Sequence, residues 1–472
     1  MRFRWVSTIF GICLLASAGR ASAETAGLLS AGAARVDITP RVNQVPKDEV
    51  VLNRLFARAL VISNGHTCAV LVGIDQGVAR NDVVSAATKG IRKVTGCPLS
   101  NIIISATHTH SGSTVFGPGG FPRPSRVATA IVVAVKTAEE KMRPARLGFG
   151  TEELDLNVNR DYFTHGQWLQ GPNQSGPSDK TLAVMEVLDT SGEPIGVYMN
   201  YAMHPISFFL SGAISPAFPG AASRYIENQY PGSVAIFVQG ASGNQNPNLL
   251  APMMHLLAVR TGEPWWKNTQ ITAPPPWLDE ASSHNAVTQM FSAVKRPVPS
   301  IRLQSYEAAL KVEHQLDTAQ GVIIGQTALN AMLYDIPVLQ SHAVIAGART
   351  EFECPGRDRL DGKNPVREGK RPPYANGAPV LIKEGVLRLG NTYIDWVDGE
   401  VYSQISTRLK HDAPAKDVMM TTLANGAANS GYIYSNNADD HLTFQVISSR
   451  LKPGCAENKI VATGLSLIDR LQ

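Results

Sequence analysis

The feature that most constrains the fold is the alternation of strand-like and helix-like segments in the first half of the chain. Residues 57–63 and 68–74 are strand-like, and the Asn64-Gly65 pair between them is typical of a tight hairpin. Residues 81–95 then place apolar side chains at a helical period. Further strand-like and helix-like runs follow at 102–104, 125–142, 182–188, 195–201, 221–229 and 234–238. This alternation predicts an α/β architecture, and the hairpin signals favour a mixed sheet.

The middle of the chain is less regular. Residues 273–276 contain three consecutive prolines, and residues 355–379 are rich in glycine, proline and charge. Both segments are predicted to be long loops, which in a compact domain are functional or disordered. Neither an internal repeat nor a linker divides the chain. We therefore expect one layered α/β domain with long loops over residues 24–472.

Residues 1–23 have the organisation of a secretory signal peptide. Arg2 and Arg4 precede an apolar stretch over residues 5–18, and Ala21-Ser22-Ala23 offers a cleavage site. A retained N-terminal anchor is the alternative interpretation. No later run reaches the ~20 apolar residues that a transmembrane helix needs. The mature protein is predicted to be exported, either periplasmic or secreted, with no transmembrane span.

The charge balance argues against a nucleic-acid partner. The formal net charge of the whole chain is +4. Loss of the signal peptide removes three arginines and no acidic residue, which leaves a net charge of +1. Nucleic-acid-binding domains usually carry a basic stripe. The composition is otherwise that of an ordinary globular protein, and it does not indicate an oligomeric state.

The cysteines of the predicted mature chain suit disulfides better than a metal site. They are Cys68, Cys97, Cys354 and Cys455. No two of them have the close spacing of a thiolate zinc site. In an oxidising compartment, four cysteines allow three pairings. We favour a bond between Cys354 and Cys455, because both lie in segments that resemble ordered turns.

The sharpest local signal for chemistry is His108-Thr109-His110. In an extended segment, residues two apart face the same side, so both imidazoles can reach one ion. The motif follows the strand-like run at 102–104 and precedes a glycine-rich loop at 112–120. Functional side chains are common in such places. The alternative is a pair of exposed or core histidines, because so short a motif has a high false-positive rate.

Three further side chains are candidates for the same site. His204 follows an apolar strand, Glu400 opens a predicted helix that ends at Leu409, and Tyr432 lies two residues before Tyr434. Each has a structural alternative: a core histidine, a carboxylate favoured by the helix dipole, or a packed tyrosine. Two histidines, a carboxylate and a weaker oxygen ligand would make a zinc site with room for water or substrate. Spacing alone does not establish that these four residues meet.

The sequence resembles the neutral, non-lysosomal ceramidases over nearly all of its mature length. Residues 31–40 are similar to the family's opening motif AGxARxDITP, and residues 105–112 read SATHTHSG, the most specific match. The other matches, in family order, are Asn159-Arg160, residues 200–205, Phe218-Pro219-Gly220, residues 239–248, Asp398-Gly399-Glu400 and residues 444–461. Ordered matches at this many places argue against coincidence.

The resemblance implies a hydrolase with one zinc ion per chain that cleaves the amide of ceramide to fatty acid and sphingosine. By motif position, the implied zinc ligands are His108, His204, Glu400 and Tyr432. His110 and Arg160 fall on substrate-contacting positions. His110 is the candidate general acid or base, because an unperturbed imidazole titrates near neutrality. Arg160 is predicted to orient or polarise the amide oxygen, with a structural salt bridge as the alternative.

One departure from the family changes the expected mechanism. The family's GDxSPN loop supplies a serine proposed to act in catalysis, whereas residues 243–248 here read Gly-Asn-Gln-Asn-Pro-Asn. Asn246 therefore stands at the serine position and Asn244 at the aspartate position. An amide cannot replace an alkoxide nucleophile, but its N–H can stabilise an oxyanion. The mechanistic hypothesis is attack by metal-activated water, with Asn246 and Arg160 stabilising the oxyanion.

Other departures weaken the prediction of substrate more than that of metal. A family tyrosine is replaced by Phe444, residues 113–116 interrupt a stretch that is continuous in the family, and the family's C-terminal β-domain is expected to be absent. The substrate is predicted to be a small or lipid-like molecule. Trp265, Trp266 and Trp277 are candidates to line its groove, and packing in the core or in a lid explains these tryptophans at least as well. Two alternatives remain: a zinc hydrolase of a non-lipid amide or ester, and a non-catalytic zinc-containing binding protein.

Overall fold

The computed structural model describes residues 25–47, 49–111, 123–262, 297–362 and 366–472. Several sequence predictions fall outside these ranges: the signal peptide, the insertion at 113–116, the prolines at 273–276, and Trp265, Trp266 and Trp277. Within the ranges, no helix is both long and apolar enough to cross a membrane.

The described strands and helices alternate through much of the chain. The strands are β1 (Gly27–Leu28), β2 (Ser30–Asp37), β3 (Val50–Val51), β4 (Phe56–Ser63), β5 (Cys68–Ile74), β6 (Ile102–Ala106), β7 (Arg143–Glu153), β8 (Asn157–Thr164), β9 (Gln167–Asn173), β10 (Thr181–Asp189), β11 (Pro194–Tyr201), β12 (Ala213–Ile214), β13 (Val234–Gln239), β14 (Gln245–Pro247), β15 (His342–Ala343), β16 (Ile345–Arg359), β17 (Tyr374–Leu389), β18 (Thr392–Val397), β19 (Glu400–Val401), β20 (Asp417–Thr421) and β21 (Tyr432–Ile433). The helices are α1 (Asn81–Thr95), α2 (Pro124–Glu140), α3 (Ala217–Gln229), α4 (Ala251–Thr261), α5 (Ser300–Asn330), α6 (Ser403–Asp412), α7 (Phe444–Ser448) and α8 (Ala456–Leu471).

The largest sheet has eight strands in the order β13-β11-β10-β7-β2-β4-β5-β6. Its outermost pairs, β11 with β13 and β5 with β6, are parallel, and the pairs between them are antiparallel. The predicted hairpin joins β4 to β5, with Ser63 opposite Cys68 and Gly65 at a φ of 81°. The prediction of a mixed α/β sheet is confirmed.

A second sheet, in the order β16-β17-β18-β20, packs on one face of the first. Successive residues of a strand face opposite sides of a sheet, so each strand of the first sheet can pack on the second sheet with one set of alternate side chains and on helices with the other. Leu60 and Ile62 of β4 contact the second sheet's core, which includes Trp396, whereas Ala59 and Val61 face α1 and α2. Helices α3 and α5 cover another part of the first sheet, and α6 and α8 cover the outer face of the second. The layers run helix, sheet, sheet, helix.

The predicted loop over residues 355–379 is shorter than expected, because residues 355–359 and 374–379 belong to strands; of the described residues between them, 360–362 and 366–373 lie outside strands and helices. Strands β16 and β17 form one long hairpin whose pairing continues to Arg359 opposite Tyr374. The register shifts between Cys354 and Gly356, which places Pro355 at an irregularity where a missing N–H donor is tolerated. Pro355, Gly356, Gly377 and Pro379 are thus accommodated within strands, whereas Gly362, Gly369, Pro372 and Pro373 lie in the segment that joins them.

Both cysteine pairs form disulfides. Cys354 bonds to Cys455, which confirms the pairing favoured from the sequence, and Cys68 bonds to Cys97. The first bond ties β16 to the start of α8, and the second ties β5 to the turn that follows α1.

Candidate metal centre

The candidate residues converge where segments leave β6, β11 and β18. His108 and His110 follow β6, His204 follows β11, and Glu400 follows β18 as the first residue of β19. His108 has a left-handed backbone with a φ of 64°, which is uncommon for a residue with a side chain. Its N–H donates to the Gln76 carbonyl at 2.9 Å, which holds this conformation. Such backbone strain is characteristic of functional sites.

The Nε2 atoms of His108 and His204 point to the same place. Both side chains are buried, and their Nε2 atoms lie 3.1 Å apart. His108 Nδ1 lies 2.5 Å from the Gly77 carbonyl, and His204 Nδ1 lies 2.8 Å from the Ser242 carbonyl. A carbonyl only accepts, so each Nδ1 carries the proton and each Nε2 keeps a free lone pair when the ring is neutral. Backbone carbonyls fix metal-ligating histidines in this way.

Glu400 completes this donor set through a short strand pairing. Strand β19 runs parallel to β21, with Glu400 in register with Tyr432. Glu400 Oε2 lies 3.3 Å from the Nε2 atoms of both His108 and His204, and it makes no hydrogen bond within the described residues. The prediction that Glu400 opens a helix is wrong: α6 begins only at Ser403. The pairing with β21 holds Glu400 in an extended conformation and directs it to the site.

His110 belongs to the same cluster. Its Nε2 lies 3.0 Å from His108 Nε2, and its backbone N–H donates to the Pro205 carbonyl at 3.1 Å. Nitrogens of the three histidines all lie within 4.8 Å of one another, an arrangement that could hold a metal ion. Burial, followed by the charges of His108 and His204, holds the His110 pKa well below its usual value. His110 is therefore a neutral imidazole at neutral pH.

The donor set fits a small divalent cation. Ligands about 2.0–2.2 Å from one tetrahedral ion lie about 3.3–3.6 Å apart, close to the separations of 3.1 and 3.3 Å among His108, His204 and Glu400. Two imidazole lone pairs and a carboxylate oxygen repel one another unless a cation or proton lies between them. The Glu400 Oε2 atom, which is buried and has no hydrogen-bond donor among the described residues, is the clearest sign of such a cation.

The electrostatics keep His204 and Glu400 in their ligating forms. Burial, followed by the positive charge of Arg160, lowers the pKa of His204 to about 3. Burial favours protonation of Glu400, but the interactions of its carboxylate with His108 and His204 outweigh burial and hold the Glu400 pKa well below its usual value. A neutral imidazole and an ionised carboxylate are the forms that bind metal.

The structure distinguishes the two candidate tyrosines. Tyr432 lies beside the histidines, with its ring centroid 6.4 Å from that of His204. Its hydroxyl interacts with the carboxylate of Glu400. The Tyr434 hydroxyl instead lies 3.0 Å from Asp439 Oδ1 and 3.1 Å from the Leu451 carbonyl, and these two acceptors share its single proton. Tyr434 is therefore a packed tyrosine, and Tyr432 is the one placed at the site.

Arg160 is a buried cation fixed beside Tyr432. Its Nε donates to the Gly243 carbonyl at 3.1 Å, and its Nη1 donates to Asn246 Oδ1 at 3.2 Å. Its guanidinium carbon lies 5.2 Å from the centroid of the Tyr432 ring. Within the described residues Arg160 forms no salt bridge, so the structural alternative considered from the sequence does not account for it. Asn246 joins the site through Arg160, whereas Asn244 accepts from the Ser403 N–H at 2.9 Å at the start of α6.

A cavity of about 30 Å³ adjoins the histidines, with room for a water molecule or the reacting group of a substrate. Its lining residues are His110, Arg160, Gln170, His204, Ile206, Phe209, Tyr432 and Phe444. Sequence reasoning missed Gln170, Ile206 and Phe209. The two apolar residues follow His204 closely in sequence, a proximity that could have indicated them. Gln170 lies on β9, and nothing in the sequence of that strand points to the site.

The chain is similar in sequence to one family of known proteins. A family model described as "Neutral/alkaline non-lysosomal ceramidase, N-terminal" matches residues 42–315. A neutral ceramidase of Pseudomonas aeruginosa is 31% identical over 173 residues, which are 32% of this chain and 25% of that protein. Neutral ceramidase B of Dictyostelium discoideum is 27% identical over 251 residues, which are 48% of this chain and 35% of that protein.

The fold is shared with a solved structure over most of the chain. The crystal structure of neutral ceramidase from Pseudomonas aeruginosa superposes with a TM-score of 0.64 and 18% sequence identity, and the match covers 94% of this chain and 75% of that chain. The sequence matches to the curated relatives span a smaller part of those proteins, between a quarter and just over a third of their length.

Proposed function

Since the chain belongs to the neutral/alkaline non-lysosomal ceramidase family, we propose that it is an exported, zinc-dependent hydrolase of the amide bond of ceramide. The observation that carries this proposal is the convergence of His108 Nε2, His204 Nε2 and Glu400 Oε2 within 3.3 Å of one another. One zinc ion per chain would be held by these three side chains, with Tyr432 as the fourth ligand. Such an ion supplies Lewis acidity, which polarises a carbonyl and lowers the pKa of water.

His110 is the proposed general base and acid. It lines the cavity and is neutral at neutral pH, so it can accept a proton from the attacking water. The water oxygen adds to the amide carbon and its proton passes to His110. When the carbon–nitrogen bond breaks, His110 returns the proton to the departing amine. The products are then a fatty acid and sphingosine.

Arg160 and Asn246 are the proposed oxyanion stabilisers. Three sets of acceptors fix the Arg160 guanidinium: the Gly243 carbonyl, Asn246 Oδ1, and Gln445 when its amide oxygen faces Arg160 at 2.7 Å. Because Asn246 accepts through Oδ1, its Nδ2 hydrogens are the ones left to donate. A fixed donor of this kind contributes about 3 kcal/mol to stabilisation of an oxyanion in other hydrolases. With no serine at position 246, no covalent acyl intermediate forms there.

A substrate panel tests the proposed function. Zinc-loaded mature protein is incubated with ceramide, with N-acyl amino acids and with simple esters, and the released amines and acids are quantified. We expect sphingosine release from ceramide that is lost in His204→Ala and retained in His411→Ala, which removes an exposed histidine outside the site.

Two other results would overturn parts of the proposal. Turnover of the non-lipid amides or esters without ceramide turnover would retain the metal centre and replace the substrate. Full zinc occupancy with no turnover of any compound would indicate a binding protein in which the loss of the family serine abolished catalysis.

A further inference from the structure

A second concave site lies apart from the metal centre, between α1 and the second sheet. It is a groove of about 390 Å³. Its walls include Ser85, Thr88, Lys89 and Arg92 of α1, and Arg349 of β16 and Lys383 of β17. We name these six residues the basic groove. None of them lines the cavity beside the histidines, so this site is independent of the proposed function.

The spacing of residues along α1 and the register of β16 and β17 place the cationic side chains on the walls of the basic groove. On α1, positions 85, 88, 89 and 92 are three, four and seven residues apart and so share one helix face. On the sheet, Arg349 lies opposite Gly385, two residues from Lys383. This places Arg349 and Lys383 diagonally on one face of two adjacent strands. Four cations therefore converge from three separate elements.

No carboxylate lines this groove to balance the four cations. Across the parts of the chain that the structure describes, Lys89, Arg92, Arg349 and Lys383 form neither a salt bridge nor a side-chain hydrogen bond. The Arg349 guanidinium is placed by the Trp396 ring, 5.7 Å from its centroid. A concave surface with unpaired positive charge attracts anions, because its walls focus the field.

Two acidic residues lie nearby, and together they offset only part of the positive charge of the groove. Asp398 is buried, and its Oδ1 accepts from the Lys383 backbone N–H at 2.9 Å. Burial raises the Asp398 pKa to about 6, although the charges of Lys383 and Arg349 oppose this rise. Glu351 lies opposite Lys383 in the strand register and is exposed to solvent. Even with both counted as ionised, two positive charges remain in excess.

We propose that the basic groove binds a phosphate ester. Its phosphate oxygens would accept from Lys89, Arg92, Arg349 and Lys383, and the hydroxyls of Ser85 and Thr88 would donate to the same group or to the polar body of the ligand. Guanidinium and ammonium groups together suit phosphate, because arginine binds two oxygens at once and lysine adds a point charge. The volume is that of a small-molecule site. The ester is either a free phosphorylated metabolite or the headgroup of a phospholipid.

Calorimetric titration of the full mature protein tests this site. The probes are inorganic phosphate and glycerol 3-phosphate, and the comparison is between wild type, Lys89→Gln/Arg92→Gln and Lys93→Gln. Lys93 is an exposed lysine one residue beyond the groove face of the same helix. We expect saturable binding of glycerol 3-phosphate that weakens about tenfold or more in the double variant and less than about twofold in Lys93→Gln.

Vesicle binding separates the two sources of the phosphate. Co-sedimentation with phosphatidylglycerol vesicles, compared with phosphatidylcholine vesicles, identifies the lipid headgroup if it depends on Lys89 and Arg92 while glycerol 3-phosphate does not bind. Binding that is equally weakened in Lys93→Gln, that is unchanged in the double variant, or that never saturates for any probe overturns the proposal. Unchanged melting temperatures of both variants exclude unfolding as the cause of a loss.

Discussion

At the residue scale, the hydrogen bonds on Nδ1 decide what the two central histidines can do. On the side of each ring away from the site, the Nδ1–H group donates a hydrogen bond to a backbone carbonyl, that of Gly77 for His108 and that of Ser242 for His204. The Nε2 lone pairs are thereby directed to the same point as Glu400 Oε2. The sequence predicted the identities of these residues by resemblance. It could not predict the carbonyl partners, because any residue type supplies a backbone carbonyl.

His110 should be essential for turnover and dispensable for metal binding. We expect His110→Ala to lower kcat by about 100-fold to 10,000-fold, the usual contribution of a general acid–base group. Metal content should remain at one ion per chain, as measured by mass spectrometry of the dialysed protein, and His411→Ala should match wild type in both readouts. A His110→Ala protein that loses its metal would make His110 a ligand, and one with normal turnover would remove it from the mechanism.

At the element scale, long periodic segments were predictable and the shortest ones were not. Helix α1 and strands β4 to β6 follow directly from apolar periodicity and the Asn64-Gly65 turn. The pairing of β19 with β21 has two residues in each strand, too few for any period to be detected. This short pairing brings Glu400 to Tyr432, so the assembly of the site depended on the least predictable element.

Helix α5 was missed for a different reason. It is 31 residues long, but its buried face carries Glu313, Asp317 and Gln320 among apolar side chains. An amphipathic helix is recognised in a sequence by a continuous apolar stripe, and polar residues at core positions interrupt that stripe. Gly321 and Gly325 also lower the helical propensity, although they allow close packing against α3. Because Glu313 and Asp317 are buried acids, their ionisation affects the stability of the folded protein.

The two buried carboxyls of α5 should make the protein less stable as pH rises. Burial, followed by repulsion from Asp317, raises the pKa of Glu313 to about 9, and burial raises that of Asp317 to about 7. Both pKa values lie above those of the unfolded chain, so the folded state favours the protonated forms. The stabilisation is fully present below about pH 4 and is lost as pH rises through about 7 to 9.

Melting temperatures at pH 5.5 and pH 9 check this prediction. The wild type should melt at a lower temperature at pH 9, and Glu313→Gln/Asp317→Asn should reduce that difference by several degrees because its amides do not ionise. Glu307→Gln, on the exposed side of the same helix, is the control and should leave the difference unchanged. An equal pH dependence in the double variant and the wild type would contradict the assignment.

At the scale of the whole molecule, the alternation of elements predicted the class of fold but not the packing of its layers. Both sheets bury alternate residues, so each strand sequence is compatible with many strand orders. The contact between the two sheets forms only when distant segments such as β4 and β18 meet. The single domain over residues 24–472 stays a prediction, as does the signal peptide.

The disulfide between Cys354 and Cys455 should stabilise the half of the molecule that carries Glu400. Cys354 packs in the same core cluster as Val401 and Ile433, the neighbours of Glu400 and Tyr432 in β19 and β21. We expect Cys354→Ala/Cys455→Ala to lower the free energy of unfolding by about 2–4 kcal/mol in a denaturant titration.

The second disulfide provides a matched control. The loop between Cys68 and Cys97 spans 29 residues, compared with 101 for the other bond. Chain entropy predicts that its removal costs about 1 kcal/mol less. Equal unfolding free energies of the Cys354/Cys455 variant and wild type would show that this bond adds nothing to stability.

Titration of metal-free protein with zinc, with sphingosine release from ceramide followed at each step, tests whether the proposed metal centre catalyses the reaction. We predict that the rate rises in proportion to bound zinc, reaches its maximum at one ion per chain, and stays near zero throughout in His204→Ala. Release of sphingosine by the metal-free protein, or no release after one zinc ion has bound, would contradict the account of a metal-dependent ceramidase built on His108, His204 and Glu400.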